Sequence, residues 1–470
     1  MEVVFLIPGI MGTSLVLPAK NPGDTDEEVW PPTPAEAALK YKRLHKLMDP
    51  ALKPGSPIHK VACYNFYSLL RTHLDDLGYP NDDSAKRRVE FGYDWRLDNV
   101  HTADLLAQRI EAEYAKGARS ISLVAHSMGG MVARLLLEGG KYNERPWFKS
   151  IRLLVTLATP HLGAPLALAR IFGLDGVAGL NASDVAKLAN NPAYPSAYQL
   201  IPAPDEAAIW SMESPDLASV DPYDTDSAKD LGLVPELLER ARAVHDVLGR
   251  EQRPEHVRYV YFAGSGHRTL TRVNVVHTPG QAVQHSQSRL TFTDDAGDGT
   301  VPLYSSLPSK GQRQIVINEH STVFKGSSFR RAFFRLLGGD AGTALENADN
   351  LDNLDNLDIE GSLLSGSLDR QAYAIGQEVE LTLQVVNRSL ADEAPPIDKI
   401  TGELVLERLH EVSLVPLTIA RLPLTYQGTP LRRLSTLLAD ITSSAGLYRL
   451  TFEGKPSLRE ALPFVVTAND

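Results

Sequence analysis

Leu123-Val124-Ala125-His126-Ser127-Met128-Gly129-Gly130 is the stretch from which the fold can be read. Before it, Ile121 to Ala125 is a short apolar run of the kind that forms a buried strand. After it, Met131 to Glu138 places Val132, Leu135 and Leu136 on one helical face. Between the two lies the pattern small-x-Ser-x-Gly, with alanine at the first small position. A serine on so sharp a strand-to-helix turn is lifted clear of the sheet, and the small residues let strand and helix approach closely. The five-residue string is weak by itself; a strand before it and a helix after it make it strong.

Working outward, Ile151 to Leu157 reads as the next buried strand and Ala103 to Lys116 as a preceding helix, with Leu105, Leu106, Ile110 and Tyr114 near a 3.6 period. Alternating strands and helices imply an α/β fold, a mostly parallel sheet with helices on both faces. A helix starting just after Ser127 presents free N–H groups, so the backbone N–H of Met128 is a natural oxyanion donor. A second donor is expected from the turn after an early strand. Phe5-Leu6-Ile7-Pro8-Gly9-Ile10-Met11-Gly12-Thr13 supplies one, with the N–H of Ile10 preferred and Met11 in reserve. The plainer reading is a tight turn whose glycines serve only positive φ.

In a nucleophile-elbow fold the acid and then the base follow the serine. His126 neighbours the serine and is expected to point away from the elbow tip. His161 precedes any acid candidate. His320 follows the strand Gln314 to Asn318, in a loop that enters a helix around Phe324 to Leu337, and is the candidate base. Asp298, between two glycines in Gly297-Asp298-Gly299-Thr300-Val301-Pro302, is the candidate acid that would fix the imidazole tautomer. Asp294 and Asp295 compete for that role, and an Asx turn is the structural alternative for Asp298.

The chain has 470 residues, which allows two to four domains, and a globular composition with 43% hydrophobic and 22% charged residues. Its net charge of −11 argues against a nucleic-acid partner. The one cysteine, Cys63, excludes an intramolecular disulfide and reads as a small buried hydrophobe. No Cys/His spacing suggests zinc, and no cofactor or metal is expected. The apolar run at the N-terminus stops at Pro8 and has no positive flank, so it reads as a strand and not a secretory signal. No run of eighteen apolar residues suggests a membrane helix. As written, the chain is expected to be cytoplasmic, with signal-free export as the alternative.

The expected organisation is a first domain over 1–340, a linker over 341–358 and a β domain over 359–470. Within the first domain, 161–258 lacks the sheet's rhythm and reads as a helical cap, mostly apolar around Pro165 to Leu174. The linker carries the tripeptide Asn-Leu-Asp three times, over 350–358. Calcium binding there is the alternative, disfavoured because no glycine supplies a tight ligand loop. From Ile359 onward, about seven short strands with turn signals such as Gln427-Gly428 and Ala445-Gly446 suggest an immunoglobulin-like sandwich. Proline at 416, 423 and 463 points to edges or bends.

Seven motifs stand in order: Ile7-Pro8-Gly9-Ile10-Met11-Gly12-Thr13, Phe91-Gly92-Tyr93-Asp94-Trp95-Arg96, Ala125 to Gly130, Thr159-Pro160-His161-Leu162-Gly163, Pro195 to Leu200, Gly297 to Pro302, and His320. Through them residues 1–335 resemble the lecithin:cholesterol acyltransferase family of α/β-hydrolases, as a bacterial-type member with an added C-terminal β domain. The resemblance implies Ser127 as nucleophile, Asp298 as acid and His320 as base, and a lipid or membrane-surface ester as substrate, hydrolysed or transferred to an alcohol. A single cysteine cannot make the disulfide-held flap of the secreted animal members, so their sterol acceptors are not carried over.

Met11, Trp30, Asp94, Trp95, Arg96 and Leu162 are candidate pocket residues. Asp94 and Arg96 also read as a structural ion pair, and Trp30 as a lid on the core. The β domain is a candidate contact for a glycan, a protein or a membrane. The leading functional reading is a serine esterase of lipid acyl esters. The alternatives are an O-acyltransferase, a thioesterase or amidase on the same machinery, and a binding protein with a non-catalytic scaffold.

Overall fold

The computed structural model describes residues 1–468, apart from 20, 22, 62, 63, 66, 214–217, 340–361, 371, 388–395, 410–415, 459 and 460. Cys63, the 341–358 linker and a strand expected at Leu414-Val415 lie outside the described residues.

Six strands build the main sheet: β1 (Glu2–Ile7), β2 (Lys86–Glu90), β3 (Ser120–His126), β4 (Ile151–Leu157), β5 (Arg258–Gly264) and β6 (Gln312–Val316). Their order is β6-β5-β4-β3-β1-β2, and every pairing is parallel. A parallel sheet must be covered on both faces, and the strands are apolar on both. Val3, Phe5, Ile7, Leu123 and Ala125 face one cluster with α2 (Asn99–Ala115), α3 (Met128–Glu138) and part of α4 (Pro235–Gly249). Val4, Leu6, Val124, Val155 and Phe262 face the other, with α1 (Ser68–Asp76) and α5 (Ser327–Leu336). Each such fully buried Val, Leu, Ile or Phe side chain contributes roughly 1.5–3 kcal/mol.

The strand read at 151–157 has those bounds. The helix expected from Ala103 begins at Asn99, because the Asp98 carboxylate accepts from the Val100 N–H at 2.8 Å and starts it earlier. β6 begins two residues before the expected Gln314 and ends at Val316.

Beyond β4 the chain leaves the sheet for short helices that share a separate apolar cluster, among them Leu168, Tyr198, Leu231 and Leu237. The same cluster takes in Leu270, Val273 and Val275 of a hairpin formed by His267–Val275 and Arg289–Gly297. The short strand Ile209–Ser211 pairs with that hairpin. The apolar cluster of the segment expected as a cap therefore also takes in residues past 258, after β5 in sequence.

The C-terminal region is two sheets around one core. Ser362–Leu368, Val379–Asn387 and Arg433–Leu438 form the first; Ala372–Ala374, Leu462–Thr467, Gly446–Lys455, Ile397–Leu409 and Pro416–Leu431 form the second, in that order. Leu364, Leu381 and Leu383 of one meet Leu404, Leu450 and Phe464 of the other. Gln427-Gly428, expected as a turn, lies inside the sixteen-residue strand Pro416–Leu431. That strand is at the sheet's edge, where proline loses no ladder bond. Pro463 sits where the short Ala372–Ala374 strand, paired only with Val465 to Thr467, does not reach.

This region meets the hairpin through ion pairs: Arg268 with Glu380 at 2.6 Å, and Arg433 with Asp294 at 2.7 Å and Asp295 at 2.6 Å. Among the described residues no helix is long and apolar enough to cross a membrane.

Candidate active site

Ser127 stands between β3 and α3 with φ 52° and ψ −127°. A non-glycine residue holds such a conformation only when its surroundings enforce it, at a cost of about 1–3 kcal/mol. Here the Ser127 N–H donates to the Leu157 carbonyl at the end of β4, at 2.8 Å. The start of α3 is pressed against the first strand: a Cβ on Gly129 would lie 2.4 Å from the Pro8 carbonyl oxygen. Only glycine lets the helix come this close.

The three residues selected in the sequence come together. His320 Nε2 lies 2.9 Å from Ser127 Oγ, and His320 Nδ1 lies 2.9 Å from Asp298 Oδ2. Asp298 is 1% exposed. Its Oδ1 accepts from the N–H groups of Thr300 at 2.9 Å and Val301 at 2.7 Å, so the Asx-type turn and the contact to His320 use different oxygens of one carboxylate. The His320 N–H donates to the Asp298 carbonyl at 2.9 Å. Asp294 and Asp295, the rival acids, are turned to Arg433 instead. His161 is buried against Arg134 and Thr156, and burial followed by the nearby Arg134 and Arg253 charges holds it neutral.

The turn after β1 is closed by the Gly12 N–H donating to the Gly9 carbonyl at 3.1 Å, with Met11 at φ 61°. Ile10 and Met11 are partly exposed in it. The Met128 N–H is the first of α3 and has no intrahelical carbonyl to meet. The Gly9 N–H is taken by Tyr67 Oη at 2.8 Å, which leaves Ile10 as the first donor of the turn after it. A Cβ on Gly9 would lie 2.7 Å from Ser127 Cβ. Gly9→Ala is therefore expected to push Ser127 off its line to His320 and lower kcat about 100-fold on any ester it cleaves; a kcat within threefold of wild type would disprove this close fit.

The remaining pocket candidates divide. Leu162 is partly exposed and its N–H donates to Ser305 Oγ at 3.1 Å. Asp94, Trp95, Arg96 and Trp30 are buried and already engaged. Arg96 Nη2 meets Asp94 Oδ2 at 2.6 Å, while Nη1 donates to the carbonyls of Leu47 and Asp49 and reaches Tyr194 Oη. The Trp95 indole N–H donates to the Thr13 carbonyl and that of Trp30 to the Met11 carbonyl, with the two rings 5.4 Å apart. Trp30 and Trp95 thus hold the backbone of the loop that carries Ile10 and Met11, while Asp94 and Arg96 form a buried ion pair tied to the carbonyls of Leu47 and Asp49. Asp94→Ala would strand a buried guanidinium and is expected to cost about 3–5 kcal/mol in urea unfolding; a loss below about 1 kcal/mol, the worth of a surface pair, would contradict that role.

Of two buried residues beside the site, His126 was set aside as a base and Tyr67 was not singled out. Tyr67 Oη lies 2.9 Å from His126 Nδ1, and His126 Nε2 lies 3.0 Å from the His320 carbonyl. His126 does point away from the elbow tip, but toward the base's own backbone. Burial, and then the His320 ring, push its pKa down to about 3. No sequence signal marks Tyr67, which is 59 residues from His126. Among the described residues no group of three or more His, Cys, Asp or Glu side chains is placed to hold a metal ion.

A hydroxyl in reach of an imidazole that a buried carboxylate holds can give up its proton as it attacks an electrophile. Residues 57–228 match the model of the family described as lecithin:cholesterol acyltransferase. No curated protein matches the chain. Among solved structures, a chain in the Tle4-Tli4 complex is similar, with 16% identity and TM-score 0.50 over 72% of this chain and 98% of that one. The mature lipase BlEst2 of Bacillus licheniformis matches at 12% identity and TM-score 0.34, over 72% of this chain and 91% of that one. Phospholipase PlaB of Legionella pneumophila matches at 11% identity and TM-score 0.28, over all of this chain and 93% of that one. The first likeness shows a shared fold, and the family match makes residues 57–228 similar to the lecithin:cholesterol acyltransferase family.

Proposed function

We propose that the chain cleaves lipid acyl esters through an acyl-enzyme on Ser127. The observation that carries this is the unbroken line from Ser127 Oγ through His320 to the buried Asp298, 2.9 Å at each step. His320 Nε2 takes the hydroxyl proton as Oγ attacks the ester carbonyl. Asp298 keeps the other ring proton on Nδ1 and stabilises the imidazolium. The N–H groups of Met128 and Ile10 receive the oxyanion. His320 then returns its proton to the departing alcohol oxygen. Water, deprotonated by the same imidazole, attacks the acyl-serine and releases the fatty acid.

The lipid character of the substrate is supported by the family match and by the partly exposed Ile10, Met11 and Leu162 on the loops around Ser127. Those side chains suit an acyl chain better than a polar acyl group. The test is incubation with mixed phospholipid vesicles and a radiolabelled alcohol. Free fatty acid is the expected product. Labelled ester in its place would make the chain a transferase. Neither product would overturn the lipid reading and direct the search to thioesters and amides.

A further inference from the structure

We infer that Tyr67 and His126 are positioning residues that lock the oxyanion turn and the base loop to each other, independently of Ser127. This rests on the reading of Ser127, His320 and Asp298 given above and adds to it the means by which its two halves keep register.

The argument is an accounting of protons. The Gly9 N–H donates to Tyr67 Oη at 2.8 Å. The Tyr67 hydroxyl then has its own proton to give, and His126 Nδ1 stands 2.9 Å away. Nδ1 must therefore be the unprotonated nitrogen. The ring proton sits on Nε2, which faces an atom that can only accept, the His320 carbonyl at 3.0 Å. One tautomer, neutral with Nε2–H, satisfies every group. An imidazolium would turn Nδ1 into a donor and leave the tyrosine proton without an acceptor. Burial, reinforced by the His320 ring 4.9 Å away, keeps His126 in that neutral form.

At one end of this run, Gly9 opens the turn that carries the Ile10 N–H. At the other, His320 is held at four points: its carbonyl by His126, its N–H by the Asp298 carbonyl, Nδ1 by Asp298 and Nε2 by Ser127. Tyr67 and His126 are 2% and 7% exposed, and both pack against Phe324, just past the base loop. Residues 9 and 320, nearly the whole hydrolase unit apart in sequence, are thus joined by three hydrogen bonds through two side chains. Donor and base must both be in place when the tetrahedral intermediate forms, and small misplacements are costly there.

The experiment uses the full chain with Tyr67→Phe, His126→Gln and His126→Asn. Readouts are thermal unfolding, kcat and KM on a short-chain p-nitrophenyl ester, and the rate of phosphonylation by a fluorophosphonate. Tyr67→Phe is expected to lower kcat and phosphonylation about 10- to 100-fold with KM little changed. A glutamine amide reaches where Nε2 stood and can still donate to the His320 carbonyl; an asparagine amide reaches only where Nδ1 stood. His126→Gln should therefore retain about tenfold more activity than His126→Asn.

A folded Tyr67→Phe with phosphonylation within twofold of wild type overturns the lock. Should that variant fail to fold, the histidine pair decides: asparagine equal to or better than glutamine overturns it. A wild-type chain not phosphonylated at Ser127 would instead defeat the reading of the serine on which the lock rests.

Discussion

Ser127→Ala is expected to lower kcat/KM on a cleavable ester by about 10⁵- to 10⁶-fold, to the residual that an oxyanion site and binding supply alone. His320 Nε2 has one partner, Ser127 Oγ, and the alanine variant leaves the base with no proton to take. No covalent acyl-enzyme can then form. The three side chains act as a unit, so His320→Ala should cost nearly as much, and the double variant little more than either single one. Asp298→Asn is expected to be milder, about 10⁴-fold, because the ring keeps its place and loses only the correct tautomer. Fluorophosphonate labelling followed by mass spectrometry of the Ser127 peptide gives the covalent readout. An alanine variant retaining more than a percent of wild-type kcat/KM would remove Ser127 from the mechanism and the proposed function with it.

What could be read beforehand was whatever depends on neighbours in sequence. The apolar run Ile121 to Ala125, the small residues around Ser127 and the following helical face lie within twenty residues, and they specify the elbow. His320 was legible because a histidine after the last strand has one place to go. The choice of Asp298 over Asp294 and Asp295 was not settled by the sequence, because what separates them is Arg433, on a different sheet and more than a hundred residues away. Periodicity is likewise blind to Tyr67, whose hydroxyl works only because Gly9 and His126 arrive from two other elements.

Asp94, Arg96 and Trp30 show a related limit. Charge and aromaticity made them candidates for a pocket, whereas the partners that occupy their polar atoms, Leu47, Asp49 and Met11 among them, come from other elements and leave no local sequence signal. Gln427-Gly428, expected as a turn between strands because it is a turn signal in most settings, lies inside the edge strand Pro416–Leu431. At a sheet edge the backbone tolerates both it and the prolines.

Acid should unfold the part of the chain built on the main sheet at a pH where carboxylates are still ionised. Five of its histidines are buried and held neutral, in each case chiefly by burial. His73, His245 and His267 are pushed down to about 4, His126 to about 3, and His161 well below the ordinary range. In the unfolded chain each titrates near 6.5. As pH falls from 6.5 toward 4, the unfolded state takes up protons that the folded state refuses, so stability falls with pH. Each such histidine costs about 2 kcal/mol by pH 5, and five cost about 10 kcal/mol. That is as large as the whole stability of a typical domain, about 5–15 kcal/mol. Urea unfolding followed by circular dichroism at pH 7.5, 6.5, 5.5 and 5.0 should show a steep fall, with cooperative loss near pH 5. A stability that is flat from pH 7 to 5 would contradict the neutral, buried state assigned to these rings. One variant makes the attribution specific. His245 Nε2 bonds the Ile201 carbonyl at 2.8 Å, a contact that glutamine can keep without titrating. His245→Gln should remove one proton from the slope, about 1.4 kcal/mol per pH unit. An unchanged slope in that folded variant would mean that His245 takes no part in the acid sensitivity.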